Sequence, residues 1–135
     1  MAESEAPDVV EYLSLAPFDD TVDRLRHAIA DAGLTLFATI DHAAGARDAG
    51  LAMPPTTVLI YGAAKGGTPI MLAAPQAALD LPLRVLIRER EDGRAVIAFH
   101  PAAAMLRRYG VAAERAARLE PAQNLLVAAI GAERS

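Results

Sequence analysis

The chain has 135 residues, 53% of them hydrophobic but only 4% aromatic, with no cysteine and a formal charge of −4 at pH 7. That length suits one domain with an aliphatic core, and the lack of cysteine excludes a disulfide framework, a thiolate zinc site and a cysteine nucleophile. The acidic balance and scattered basic residues exclude nonspecific nucleic-acid binding, which needs a patch of Lys and Arg facing the phosphates.

Residues 1–8, "MAESEAPD", read as a disordered tail, and 9–131 as a single α+β domain. The opening has no basic stretch leading into an apolar run, and nowhere do about 18 uninterrupted apolar residues occur, so a cytoplasmic protein without membrane contact is expected. Val9 to Leu15 has strand character and Pro17 ends it. Asp19 or Asp20 is suited to cap a helix running to about Gly33, with Val22, Leu25, Ile29 and Ala32 as its apolar stripe. His27 falls on the opposite, solvated face.

Leu34 to Ile40 alternates as a strand, with Leu34, Leu36, Ala38 and Ile40 expected on one side. Asp41 is placed to cap a short helix that Gly50 stops. Pro54 and Pro55 force an extended entry into "TTVLIYG", a β-branched run expected well inside the sheet. The loop "GAAKGGTP" follows, and there Thr68 is suited to N-cap a helix with Pro69 at its first position. "DLPLRVLIRERED" and "GRAVIAFH" read as two strands around an Asp92-Gly93 turn. Leu83, Val85 and Ile87 take one face, and Arg84, Arg88 and Arg90 the other, so the sheet is expected to be covered on one side only. Helical sequence closes the chain: Pro101 to Tyr109, then "VAAERAARL" running on to "PAQNLLVAAIG", with Leu125, Leu126, Ala129 and Ile130 able to pack on the sheet. The order β-α-β-α-β-α-β-β-α-α, with its late hairpin, points to a mostly antiparallel sheet packed on one face by helices.

The Gly-rich loop invites comparison with the phosphate-binding G-x-x-x-x-G-K-[ST] pattern. Gly62 and Gly67 have its separation, but Thr68 stands where the lysine belongs and Pro69 lacks an N–H donor, which excludes a nucleotide cradle. A Gly-rich turn at a helix start still offers free N–H groups and partial positive charge to a carboxylate or single phosphate. Lys65, the only lysine in the chain, lies in this loop. His42 after the second strand and His100 after the last are acid-base candidates, with Asp80 as an orienting carboxylate or as a turn-forming residue. No histidine shows ligand spacing, so no metal and no cofactor are expected.

Taken together, "FDDTVDRLRHAIADAGLTLFATIDHAAGARDAGLAMPPTTVLIYG", "GAAKGGTPIMLAAPQAALDLPLRVLI" and "HPAAAMLRRYG" resemble the domain of unknown function 302 family over roughly residues 10–130. The resemblance implies an α+β fold similar to the TATA-binding-protein-like arrangement. It brings no reaction with it. The family loop commonly reads G-N-P-K-A-G-T-P, so Lys65, Gly67, Thr68 and Pro69 match while Ala63 and Ala64 replace Asn-Pro. The late strand of the family commonly ends in Asn-Asp-Pro, where this chain has Phe99, His100 and Pro101.

The leading expectation is a domain that binds a small anion at His42, Lys65, Gly66, Gly67, Thr68, Asp80 and His100. Two alternatives stand beside it: an enzyme using His42 or His100 with Asp80, and a structural module that forms a homodimer through a sheet face or edge.

Overall fold

The structure is a computed structural model and describes residues 8–131 and the backbone of 133–134. The expected tail thus lies, apart from Asp8, outside the described residues. Strand β1 (Val10–Leu13) leads into helix α1 (Phe18–Asp31), then β2 (Thr35–Asp41), α2 (His42–Asp48), β3 (Thr56–Gly62) and α3 (Ala64–Ala73). A 3-10 turn, Pro75–Asp80, precedes β4 (Leu83–Glu89) and β5 (Ala95–Phe99), and α4 (Ala102–Arg107), α5 (Ala113–Ala116), α6 (Glu120–Ala129) and β6 (Glu133–Arg134) complete the chain. The sheet order is β2-β3-β4-β5-β1-β6, with every neighbouring pair antiparallel.

One sheet face carries the core. Leu59, Tyr61, Val85, Ile87 and Ile97 are buried there against Leu25 and Ile29 of α1 and Leu126 of α6, because strand residues two apart share a face and helix residues four apart share a stripe. Thr21 continues the α1 stripe: its Oγ1 donates to the Ala16 carbonyl at 3.1 Å and accepts from Ser14 Oγ at 2.7 Å, while Ser14 Oγ accepts from Ala16 N at 3.1 Å. This buried trio fixes the link from β1 to α1 with each hydroxyl partnered. Gln123 of α6 does the same on the other side, accepting from Ala102 N at 3.0 Å and donating to the His100 carbonyl at 2.8 Å.

On the open face Arg84 is exposed as expected, but Arg88 is not simply solvated. Its Nη2 lies 3.0 Å from Glu11 Oε2. Because Glu11 pairs with Ala98 and Arg88 with Val96, this ion pair arches over β5 and leaves both small residues buried.

Three local expectations are corrected. Asp19 and Asp20 do not cap α1; Pro17 holds the cap position and the two carboxylates sit in the first turn, where the helix dipole favours them. The strict alternation of β2 breaks between Leu36 and Ala38: Leu36 pairs with Tyr61 while Ala38 pairs with Ile60, so a bulge puts them on opposite faces. Thr68 does not cap α3, which starts four residues earlier at Ala64 and encloses Pro69. The Asp41 cap is present, accepting from Ala44 N at 2.9 Å.

Candidate functional site

Helix α3 is built to be weak at its start. Ala63 in the cap position has no side chain to accept an N–H, two glycines occupy the first turn, and Pro69 cannot donate to the Lys65 carbonyl. What holds this end is packing: a Cβ built on Gly66 would lie 3.4 Å from Leu119 Cδ2, and one on Gly67 would lie 3.8 Å from Met71 Cε and 3.9 Å from Leu81 Cδ1.

The helix thereby forms one wall of a cavity of about 350 Å³. Gly66, Gly67, Thr68 and Met71 make that wall, Leu34 and Phe37 come from β2 and the residue before it, and Leu81, Pro82 and Leu83 enter from the start of β4. Leu119 and Ala122 close the far side, and Arg118 is the only charged lining residue among the described residues. The lining is mostly aliphatic groups and glycine, and burial of apolar surface in such surroundings is worth roughly 25 cal/mol per Å².

The expected site residues divide among three places. Gly66, Gly67 and Thr68 line the apolar cavity, whereas Lys65 is exposed and does not. Thr68 is the fifth residue of α3, so its N–H is not among the four unpartnered donors of a helix start. Asp80 and His100 line a separate cavity of about 220 Å³ with Leu83, Arg84 and Met105. His42 is exposed at the start of α2 and lines neither.

In the second cavity both expected site residues, Asp80 and His100, are already engaged. Asp80 accepts a short hydrogen bond from the Tyr109 hydroxyl, which holds that phenol above its ordinary range; partial desolvation and the carboxylate charge add to the shift. His100 Nδ1 lies 2.7 Å from the Asp8 carbonyl, and since a carbonyl only accepts, this nitrogen carries the hydrogen. Among the described residues no hydrogen bond joins either candidate histidine to Asp80.

The sequence profile described as "Domain of unknown function DUF302" matches residues 10–130. The chain belongs to the DUF302 family. The crystal structure of an uncharacterized conserved DUF302 protein from Bacillus stearothermophilus superposes with a TM-score of 0.79 at 12% identity, covering 93% of this chain and 98% of that one. The α+β fold is therefore that of the family.

This DUF302 chain is also similar to proteins named fluoride-specific ion channels. It is 33% identical over 92 residues to FluC 1 of Brucella suis biovar 1 (strain 1330), a match that covers 68% of this chain and 36% of that protein. FluC 1 of Brucella abortus biovar 1 (strain 9-941) matches at the same identity over 34% of its length. The match thus spans about a third of these relatives. Among the described residues no helix is long and apolar enough to cross a membrane.

Phe37, Arg118 and Ala122 are cavity residues that the sequence does not single out. They come from separate segments and share no motif. Each reads locally as strand or helix filler, so no signal short of the tertiary fold assembles them.

Proposed function

We propose that this DUF302 chain is a small-ligand-binding domain whose ligand is a compact, mostly apolar molecule bearing one anionic group. The observation that carries this reading is the cavity of about 350 Å³ walled mostly by aliphatic side chains and α3 glycines, with Arg118 as its only charged lining residue among those described. Burial of the apolar body supplies affinity, and the guanidinium at the rim orients the anion. The thinly held first turn of α3 provides the local opening through which the ligand enters. Lys65 lies outside the lining and adds at most long-range attraction.

The similarity to the Brucella proteins supports a sensory role. The match takes in about a third of proteins named as ion channels, and this chain has no spanning helix among its described residues. The matched portion is then read as a ligand-responsive module. Fluoride itself is a poor occupant, because a small, strongly hydrated ion gains nothing from aliphatic walls.

The test uses 1-anilinonaphthalene-8-sulfonate, which joins an apolar body to an anion. Saturable binding at one site per chain is expected, with a rise in Tm on addition of the probe. Gly67→Leu, which fills the cavity, abolishes binding, and Arg118→Gln weakens it about tenfold, the worth of one charge-assisted hydrogen bond. Unchanged circular dichroism of both variants separates loss of the site from loss of fold. Absence of saturable binding, or binding indifferent to both substitutions, overturns the proposal.

A further inference from the structure

The second cavity, of about 220 Å³, gathers a carboxylate, a guanidinium and an imidazole, from Asp80, Arg84 and His100, with Leu83 and Met105 as apolar walls. Antiparallel pairing brings these groups together. Strands β4 and β5 pair Leu86 with Ala98, and the same register carried two residues further sets Arg84, near the start of β4, across from His100, just past the end of β5. Asp80 ends the 3-10 turn that leads into β4. Two of the groups are held in place: His100 Nδ1 donates to the Asp8 carbonyl at 2.7 Å, the His100 carbonyl accepts from Gln123 Nε2 at 2.8 Å, and Asp80 Oδ2 accepts from the Tyr109 hydroxyl. Those bonds use one side-chain atom of each residue. Among the described residues no hydrogen bond reaches Asp80 Oδ1 or His100 Nε2, and the Arg84 guanidinium has neither a hydrogen bond nor an ion pair.

We propose that this cavity is a second binding site, which takes a small zwitterion: an α-amino acid with an aliphatic side chain. A cation and an anion line one cavity without pairing to each other, since among the described residues the ion pairs run from Arg88 to Glu11 and from Arg90 to Asp92. A molecule that carries both charges satisfies the two at once. Its carboxylate accepts from the Arg84 guanidinium, whose planar fork matches it. Its ammonium donates to Asp80 Oδ1 and to His100 Nε2, which in the neutral ring is an acceptor because Nδ1 carries the hydrogen. The side chain packs on Leu83 and Met105. A simple anion meets the Asp80 carboxylate and a simple cation meets Arg84, so each is disfavoured by a like charge. The volume of about 220 Å³ lies below the roughly 300–1,000 Å³ of sites for drug-sized molecules and well above the space of one water, which suits a small metabolite. This site is separate from the apolar cavity and does not rest on the reading given for it.

The test is a titration of the full chain with L-alanine and with L-leucine, followed by backbone amide chemical shifts. Saturation is expected, with the signals of Arg84, His100 and Tyr109 among those that move. N-acetyl-L-leucine lacks the ammonium and L-leucinamide lacks the carboxylate, and each is expected to bind at least tenfold more weakly than L-leucine. Arg84→Gln and Asp80→Asn are expected to weaken L-leucine at least tenfold with unchanged circular dichroism, whereas Gly67→Leu, in the other cavity, leaves its binding unaltered. Arg84 is exposed, so Arg84→Gln decides alone if Asp80→Asn disturbs the fold. If neither amino acid saturates, the proposal is overturned. It is also overturned if either analogue binds as tightly as L-leucine, or if Arg84→Gln binds L-leucine as the unaltered chain does. Binding lost in Gly67→Leu but kept in Arg84→Gln would put the amino acid in the apolar cavity, with the same consequence. If L-leucine binds as described and anilinonaphthalene sulfonate does not bind, this site stands and the apolar-cavity reading fails.

Discussion

Replacing Gly67 by alanine tests the cavity and the helix that forms it in one experiment. Glycine in a helix is less favourable than alanine by about 0.5–1 kcal/mol because it loses more backbone freedom on folding. The added methyl meets Met71 Cε at 3.8 Å and Leu81 Cδ1 at 3.9 Å, both ordinary van der Waals separations, so no steric cost offsets that gain. The net expectation is about 1 kcal/mol of added stability. At an unfolding entropy of about 2.1 cal/mol/K per residue, 135 residues give roughly 0.28 kcal/mol/K, so Tm should rise by about 3–4 °C. Calorimetry measures this. The same methyl narrows the space between Met71 and Leu81, so affinity for the probe should fall as stability rises. Gly66→Ala provides the contrast: its Cβ comes to 3.4 Å from Leu119 Cδ2, at the edge of comfortable contact, and its gain should be smaller. A lower Tm for Gly67→Ala would refute the placement of this residue inside α3. A raised Tm with unaltered probe affinity would refute its place in the binding site.

Other substitutions test the packing that holds the site in place. The Tyr61 hydroxyl is buried without a partner among the described residues, so Tyr61→Phe should be neutral or stabilising by about 1 kcal/mol in urea denaturation; clear destabilisation would expose a partner for that oxygen. Burial also pushes this phenol upward. The unfolded chain therefore ionises first, holds fewer protons above about pH 10, and stability should fall with rising pH there by up to about 1.4 kcal/mol per unit. Tyr61→Phe should flatten that alkaline limb, and an identical profile in both proteins would contradict the assignment. Thr21→Val keeps the shape but removes the partner of Ser14 Oγ and of the Ala16 carbonyl, an expected loss of about 1–3 kcal/mol by denaturant titration. Gln123→Leu unpairs Ala102 N and the His100 carbonyl; a similar loss, with faster exchange of the Ala102 amide, is expected.

The strands are legible in the sequence because their chemistry is local. Leu83, Val85 and Ile87 alternate with Arg84 and Arg88, and the structure buries the first set and leaves the second on the open face. The Asp92-Gly93 turn is equally local: Asp92 accepts from Arg94 N at 3.0 Å, and Gly93 has φ 84, a left-handed value that glycine adopts without strain. Helix α3 departs from its local signal for a physical reason. Thr68-Pro69 is an ordinary helix-start pair, and here it is overridden because Gly66 and Gly67 let the preceding turn close against Leu119 and Leu81, contacts that no window of sequence contains. The bulge at Leu36 to Ala38 is hidden for a similar reason, since alternation alone cannot show an extra residue in one strand of a ladder.

These two departures from local expectation meet at one place. The early start of α3 turns Gly66, Gly67 and Thr68 from expected anion donors into a cavity wall. The bulge at the start of β2 accompanies Phe37 lining that cavity while remaining half exposed on a bare sheet edge. Local rules are expected to yield where tertiary packing has another use for the segment, and sites of function are where such conflicts concentrate. The loop that best identifies the family and the edge strand β2, whose outer side is unpaired among the described residues, are thereby joined by a single aromatic ring.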